Sequence, residues 1–346
     1  MKKGLLGVLA ALVIVAIGMV GCGPSKPVLH LYNWSDYINP DVITQFEEKY
    51  DCRVVTDTFD SNESMYAKLK AGATGYDLIF PSSYQVVIMM EQGMLLKLDH
   101  SKLPNIVHLD KDFSRIVADP SYEYSVPYMI SSAGIAYLKN RVKDIVPSWG
   151  MFTNSAYRGR VTMLNDYRET IGAALKFLGY SLNTTNATEI AEAAQVVIGW
   201  KKNLAKFENE QYKNGVASGE FLFVHGYNGD VGQVMGENEN VAFCLPREGV
   251  SLACDEMVIP VTAKEVDLAH AFINFVHDPE IAAKNIEYTY YLCPNTAAYK
   301  KLPKDVMENE VIFPPKEIRT KSESIRDLGI LNSLYIKAWD KIKAAQ

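Results

Sequence analysis

The first third of the chain alternates short apolar runs with segments whose apolar residues recur every three or four positions. The runs are rich in aliphatic, aromatic and β-branched residues and predict strands at Val28–Tyr32, Cys52–Phe59 and Tyr76–Phe80. Asn39 followed by Pro40 is typical of a helix start, and Asn62 is predicted to cap the next helix. Strands alternating with helices indicate parallel βαβ units, whose ligands bind at the carboxyl ends of the strands.

The same alternation continues to the end of the chain and predicts an α/β fold. Further strands are predicted at Arg160–Leu164, Phe221–His225, Val241–Leu245 and Met257–Val261, and helices at Tyr167–Leu178, Thr188–Leu204, Leu268–Val276 and Ser322–Ala345. A chain of 346 residues exceeds one ordinary core, so two lobes are expected. The sequence has no long Gly/Ser linker, and lobes joined by short crossings suit a cleft that closes by hinge motion.

The N-terminus has the pattern of an export signal. Lys2 and Lys3 precede an apolar run from Leu5 to Val20, which ends at Gly21-Cys22. Residues 1–21 are therefore predicted to be a signal peptide, with Cys22 as the lipidated first residue of a tether over residues 22–27. The alternative is an uncleaved N-terminal anchor in which Cys22 is incidental. Either interpretation exports the rest of the chain and attaches it to a membrane.

Charge and cysteine content limit the classes of ligand that the protein is expected to bind. Removal of residues 1–21 takes away two lysines and no acids, so the formal charge moves from −6 to −8. An acidic exported protein is a poor nucleic-acid binder and a plausible receptor for cations. The remaining cysteines have no spacing typical of a zinc site; they are Cys52, Cys244, Cys254 and Cys293. Cys244 and Cys254 could pair across a turn, but the sequence favours the interpretation of these cysteines as small buried apolar residues.

Catalytic signatures are missing from the sequence. It contains no GxSxG, HExxH or P-loop motif, and its six histidines form no pair at metal-ligand spacing. No enzyme, cofactor or metal is predicted. An exported hydrolase that uses Asp166 and Glu169 as acid and base is a weaker alternative, because both carboxylates would approach a substrate from one side.

Aromatic and acidic residues gather where predicted strands end. Trp34, Asp36 and Tyr37 share one loop, and Asp166 lies three positions before Glu169, so both can reach one ligand or form a capping box. Further candidates lie in Tyr227–Asp230, at Asp255 and Glu256 before the last predicted strand, and at Tyr288, Tyr290 and Tyr291. Aromatic faces and spaced carboxylates suit a polyamine, a methylene chain that carries ammonium groups. Tyrosine clusters also occur in iron(III) carriers, so a carrier of iron(III) or of an amino acid remains an alternative.

Several longer motifs resemble the spermidine/putrescine-binding proteins of bacterial polyamine ABC importers. The resemblance runs over nearly the whole exported chain and is carried by Leu31–Tyr37, Ser61–Lys70, Tyr76–Ser82, Tyr124–Tyr128, Leu178–Tyr180 with Asn183–Thr185, and Pro294-Asn295. The resemblance implies a two-lobe periplasmic-binding fold, in which each lobe is a mixed sheet flanked by helices and the ligand lies in the cleft between them. It also implies a receptor without catalysis, located in the periplasm or at the outer face of the cytoplasmic membrane. The implied partners are a polyamine and the permease and ATPase of an importer.

The resemblance assigns roles residue by residue. The aromatic box would be Trp34, Tyr37, Tyr84, Tyr227 and Tyr291; the polar contacts Ser35 and Ser82; and the acids Asp166, Glu169 and Asp255. Ala253 and Ile325 (or its neighbour Arg326) stand where the spermidine binder has Trp and Gln, which favours putrescine over spermidine. Lobe one is expected to comprise residues 28–132 and 260–308, and lobe two residues 133–259 and 309–346.

Overall fold

The computed structural model describes residues 26–345. The predicted signal peptide and Cys22 lie outside this range. The strands are β1 Val28–Asn33, β2 Arg53–Thr58, β3 Leu78–Ile79, β4 Ser125–Leu138, β5 Val161–Met163, β6 Leu204–Phe207, β7 Phe223–Tyr227, β8 Val241–Cys244 and β9 Leu252–Val258. The α-helices are α1 Pro40–Tyr50, α2 Asn62–Lys70, α3 Ser83–Glu91, α4 Tyr167–Leu178, α5 Ala187–Lys201, α6 Tyr212–Ser218, α7 Asn228–Glu237, α8 Val266–Val276, α9 Pro279–Thr289, α10 Thr296–Tyr299, α11 Lys304–Met307, α12 Lys316–Lys321 and α13 Asn332–Ala344.

Local signals explain the helix starts. The Asn39 side chain accepts a hydrogen bond from the Asp41 amide, and Pro40 takes the first helical position of α1, as predicted. The cap of α2 is Ser61, which accepts from the Ser64 amide, whereas the predicted cap Asn62 is the first helical residue. Asn62 instead turns its side chain toward the interior of the protein.

One long strand connects two half-sheets. The strand order is β2-β1-β3-β9-β4-β7-β5-β6, and β8 also pairs with β4. The first part of β4 pairs with β9, and its second part pairs antiparallel with β7 and β8. Parallel pairs lie on both sides, β1 with β2 and β3, and β5 with β6 and β7. Each half is therefore a mixed sheet, and β4 crosses between the halves.

Two large hydrophobic cores define the two lobes. The first contains Leu31 of β1, Phe46 of α1 and Phe272 of α8, and the second contains Ile171 of α4 and Trp200 of α5. A smaller buried cluster, which includes Tyr32, Ile79 and Val86, packs on the other face of the first half-sheet. The two-lobe α/β fold is as expected.

The cores divide the chain at slightly different places from those expected. Met257 and Ile259 pack in the first core, although residues 133–259 were assigned to lobe two. Ile312 also packs there, although it belongs to the segment 309–346. The reason is that β9 pairs with β3 as well as with β4, which places most of β9 in the first half-sheet. We propose that lobe two gives way to lobe one within β9 rather than at residue 259.

Two predicted elements are corrected by backbone pairing. The last predicted strand, Met257–Val261, is β9 at Leu252–Val258, so Asp255 and Glu256 lie within a strand rather than before it. The long terminal helix predicted over Ser322–Ala345 is only α13. Its first part is extended because the Glu323 carbonyl accepts from the Leu252 amide at 2.9 Å. Gly329, at a φ of 54°, lies in the left-handed region and precedes the helix.

Candidate functional site

The main cleft lies between the two lobes and has a volume of about 120 Å³. Both half-sheets contribute to its wall, because residues that follow or lie within β1, β7 and β9 face it. The structure brings ten of the eleven predicted site residues together there: Trp34, Ser35, Tyr37, Ser82, Tyr84, Asp166, Glu169, Tyr227, Asp255 and Tyr291. This volume is smaller than that of pockets for drug-sized ligands, so the cleft suits a small solute.

Trp34 is held by the end of β1. Its backbone amide donates to the Asn33 side chain at 2.8 Å, and its indole Nε1 donates to the Phe80 carbonyl at 2.8 Å. The indole also packs on Phe59, with the ring centroids 4.3 Å apart. Because the indole N–H is already satisfied, Trp34 presents a fixed aromatic face to the cleft.

Asp255 is a buried carboxylate at the lobe-one side of the cleft. It accepts hydrogen bonds from the Tyr37 hydroxyl at 2.7 Å and from the Ser82 hydroxyl at 2.6 Å. Asn62 in turn donates to Ser82 Oγ at 3.0 Å, which orients that hydroxyl. Burial raises the pKa of Asp255 to about 6, and the two hydroxyl donors only partly offset this effect. The site therefore contains an acid whose charged form lacks a compensating cation.

Asp166 and Glu169 form a second acidic group at the start of α4. Asp166 caps the helix and accepts from the Arg168 and Glu169 amides at 2.8 and 3.0 Å. The N-cap half of the predicted capping box is therefore confirmed, and Asp166 also lines the cleft. Glu169 accepts from the Ser251 hydroxyl at 2.5 Å. Burial, together with the neighbouring charge of Asp166, raises the pKa of Glu169 to about 8, and burial also raises the pKa of Asp166. Two buried carboxyl groups so close together favour a cationic ligand.

Several tyrosine rings of the cleft lie close to its acidic groups. Tyr37 and Tyr291 meet edge to face with centroids 4.9 Å apart, and the Tyr291 hydroxyl lies 3.2 Å from Asp230. Gly229 permits this packing, since a Cβ atom there would lie 2.2 Å from the Tyr291 ring. Burial raises the pKa values of Tyr84 and Tyr227 well above the usual range, and nearby carboxylates reinforce the shift. The phenols are therefore neutral aromatic surfaces at physiological pH.

Asp36 is the predicted site residue that does not line the cleft. Its side chain is 60% exposed, and its Oδ2 lies 3.1 Å from Lys213 Nζ. Asp36 adopts a φ of 53°, in the left-handed region. The tertiary contact with a lysine from the other lobe accounts for this position.

The cleft also contains polar residues that were not predicted as site residues. They include Asp60, Asn62, Ser83, Arg168, Asn209, Glu210, Lys213, Asp230 and Ser324. Asp230 lies in the Tyr227–Asp230 stretch noted in the sequence, so proximity to Tyr227 was an available signal. Lys213 carried no such signal, because it follows a short strand by several residues and no motif includes it.

Three positions depart from the polyamine-binder pattern, and one of them, Tyr227, keeps an aromatic face in the cleft. Ala253 and Ile325 line it. Arg326 does not; its amide donates to Asn183 at 2.9 Å and its carbonyl accepts from the Arg168 guanidinium. Of the two candidates Ile325 and Arg326, the one that faces the cleft is therefore Ile325.

Three further observations concern the described part of the chain. Within residues 26–345, no helix is both long and apolar enough to cross a bilayer. Over the same residues, no cluster of three His, Cys, Asp or Glu side chains has the arrangement of a metal site. The four cysteines in this range are free.

Comparison with known proteins agrees with this geometry. Residues 41–315 match the model of the family described as bacterial extracellular solute-binding protein. A putrescine-binding periplasmic protein of Escherichia coli is 33% identical over the whole of this chain and 99% of its own length. The structure of a spermidine/putrescine ABC transporter substrate-binding protein from Streptococcus pneumoniae superposes with a TM-score of 0.81, at 32% identity over 92% of this chain and 99% of that one. The structure of a lipoprotein of Treponema pallidum superposes with a TM-score of 0.82, at 36% identity over 91% of this chain and 99% of that one.

Proposed function

We propose that this chain, which belongs to the bacterial extracellular solute-binding proteins, takes a small polyamine as its solute and delivers it to an ABC importer. The chain is a receptor rather than an enzyme. The hydrolase alternative is therefore set aside, and Asp166 and Glu169 are assigned to ligand recognition instead of acid–base chemistry.

The main support for this proposal is that carboxylates outnumber cationic side chains in a cleft lined by aromatic rings. Among residues 26–345, six carboxylates and two cationic side chains line the cleft: Asp60, Asp166, Glu169, Glu210, Asp230 and Asp255 against Arg168 and Lys213. The partners of Asp255 and Glu169 are hydroxyl groups, which cannot neutralise a charge. An incoming ammonium group supplies the missing positive charge and lowers the pKa values of both acids.

The arrangement suits an amine with charges at both ends. One ammonium pairs with Asp255, and the other pairs with the Asp166–Glu169 group. The methylene stem lies against the aromatic faces of Trp34 and Tyr227, where apolar contact and cation–π attraction both act. Polar contacts from Ser35 and Ser82 complete the site.

The preferred amine is proposed to be putrescine. Ala253 provides no aromatic wall, and Ile325 provides no hydrogen-bond partner for an additional amine. The lost aromatic contact is worth about 1 kcal/mol, and a buried amine facing Ile325 would cost about 1–3 kcal/mol. Both effects weaken a triamine more than a diamine.

Calorimetric titration tests the ligand assignment. Purified residues 23–346 are titrated with putrescine, cadaverine, spermidine, spermine and arginine at one pH and salt concentration. Saturable binding of at least one polyamine, with arginine much weaker, is the expected result. Binding of arginine alone, or a visible tyrosinate absorption band on addition of iron(III), would replace the polyamine assignment with one of the alternative carriers.

We also propose that the receptor is attached to the membrane through Cys22. The support is the apolar run before Gly21-Cys22 and the likeness to a protein described as a lipoprotein. In this arrangement residues 22–27 form the tether, and the cleft faces the extracytoplasmic space, where the permease of the importer is accessible.

A further inference from the structure

Lys213 is a cation placed inside a cleft that otherwise selects for cations. It lies at the start of α6, whose Tyr212 and Val216 pack in the second core. Its side chain is 16% exposed and lines the cleft. Its ammonium contacts Asp36, which follows β1 of the first lobe, at 3.1 Å. The lysine therefore reaches across the cleft from one lobe to the other.

Three carboxylates act on this ammonium, and Asp36 is the one in direct contact with it. Burial disfavours its charged form, but Asp230, Asp36 and Glu210 together outweigh that effect and leave the pKa of Lys213 raised. Asp60 belongs to the same group, because its charge is felt by Glu210. This end of the cleft thus has the composition of an ammonium-binding subsite, and the protein's own side chain occupies it.

The other acids of the cleft remain available to a ligand. Asp255 bonds to the hydroxyl groups of Tyr37 and Ser82, and Glu169 bonds to Ser251. Tyr227 lies close enough to Glu169 and Tyr291 for both to raise its pKa, and Tyr291 lies beside Asp230. The aromatic wall therefore runs from the free acids toward the end where Lys213 sits.

We propose that the Lys213 ammonium takes the place of a ligand's terminal ammonium at one end of the cleft and thereby restricts the receptor to amines with two charges. This inference rests on the proposed polyamine function and names the residue that sets ligand length. A third ammonium would meet the positive charge of Lys213 rather than the carboxylates of Asp36, Asp230 and Glu210.

The test is to remove the ammonium while keeping most of the stem. Lys213→Met leaves the surrounding carboxylates without their cation, so spermidine should bind at least about tenfold more tightly than it binds the unmodified protein. Putrescine affinity should rise by a smaller factor than spermidine affinity, because both ammonium groups of putrescine already pair with Asp255 and the Asp166–Glu169 group. Lys213→Arg keeps the charge and should keep the original ratio of the two affinities. Lys337→Met, an exposed lysine on α13, is the matched control for loss of one positive charge.

The possible results distinguish a failure of this inference from a failure of the proposed function. Unchanged spermidine affinity in Lys213→Met, or a parallel loss of both amines, would show that Lys213 only joins the lobes and would overturn the inference. Failure of the unmodified protein to bind any polyamine would instead overturn the proposed function. If Lys213→Met lowers the melting temperature without ligand, Lys213→Gln provides the same loss of charge with a polar side chain, and the same comparison applies.

Discussion

Replacing Asp255 with Asn removes one charge from the cleft and leaves the shape of the side chain nearly unchanged. The carboxylate is 8% exposed and bonds to two hydroxyl groups, each of which can rotate to accept from the new amide. Losing a buried charge that pairs with a ligand ammonium typically costs about 2–5 kcal/mol of affinity. At about 1.4 kcal/mol per tenfold change, Asp255→Asn should weaken putrescine binding by about 30-fold to several thousandfold.

The stability of the ligand-free protein should respond in the opposite direction. Burial raises the pKa of Asp255 from 3.8 to about 6, so the folded state disfavours the ionised acid at pH 8 by about 3 kcal/mol. Asn carries no such penalty, and its lost charge-assisted hydrogen bonds offset part of the gain. The melting temperature of Asp255→Asn without ligand should therefore stay the same or rise.

Calorimetry at pH 8 and thermal denaturation without ligand measure the two effects separately. Asp340→Asn, an exposed acid on α13, is the control for the general effect of one negative charge. Putrescine affinity within threefold of the unmodified protein in Asp255→Asn would refute the assignment of Asp255 to an ammonium. An equal loss in the control would attribute the effect to the field of the whole protein.

Other predictions follow from the same site and from the N-terminus. Between pH 6 and 8, polyamine affinity should rise by about tenfold or more, because Glu169 with its pKa near 8 must lose a proton to bind a cation. Over that interval the ligand-free melting temperature should fall, since the folded state holds this proton more tightly than the unfolded state does. Glu169→Gln should weaken both trends, and Glu256, whose pKa burial raises to about 7, should account for part of the melting trend that remains. An affinity trend that is unchanged in Glu169→Gln would assign it to another group. Putrescine should bind at least as tightly as spermidine, and a tenfold preference for spermidine would contradict the roles of Ala253 and Ile325. Cys22→Ser should move the protein from the detergent to the aqueous phase, whereas retention with the membrane would favour the uncleaved anchor.

Local sequence determined where most helices and strands begin and which chemistry the cleft contains. A capping residue such as Asn39 accepts a hydrogen bond from an amide only two or three residues away. The neighbouring sequence is therefore enough to predict where such a helix begins. Trp34 and Asp166 closely follow strand ends, and the carboxyl ends of parallel strands are where such sheets bind ligands. These rules, together with the family motifs, predicted from the sequence that Trp34, Asp166 and Tyr291 belong to one site.

Tertiary structure decided which side chains line the cleft and which pair with one another. Asp36 and Lys213 are 177 positions apart, and no local pattern predicts that Asp36 would pair with Lys213 instead of lining the cleft. Asp255 lies within β9 because that strand pairs with β3 and β4 at once, and Glu323 is extended because it pairs with the chain beside Leu252. Such pairings depend on how distant segments pack around two cores, and capping, periodicity and turn preference act only over a few neighbouring residues.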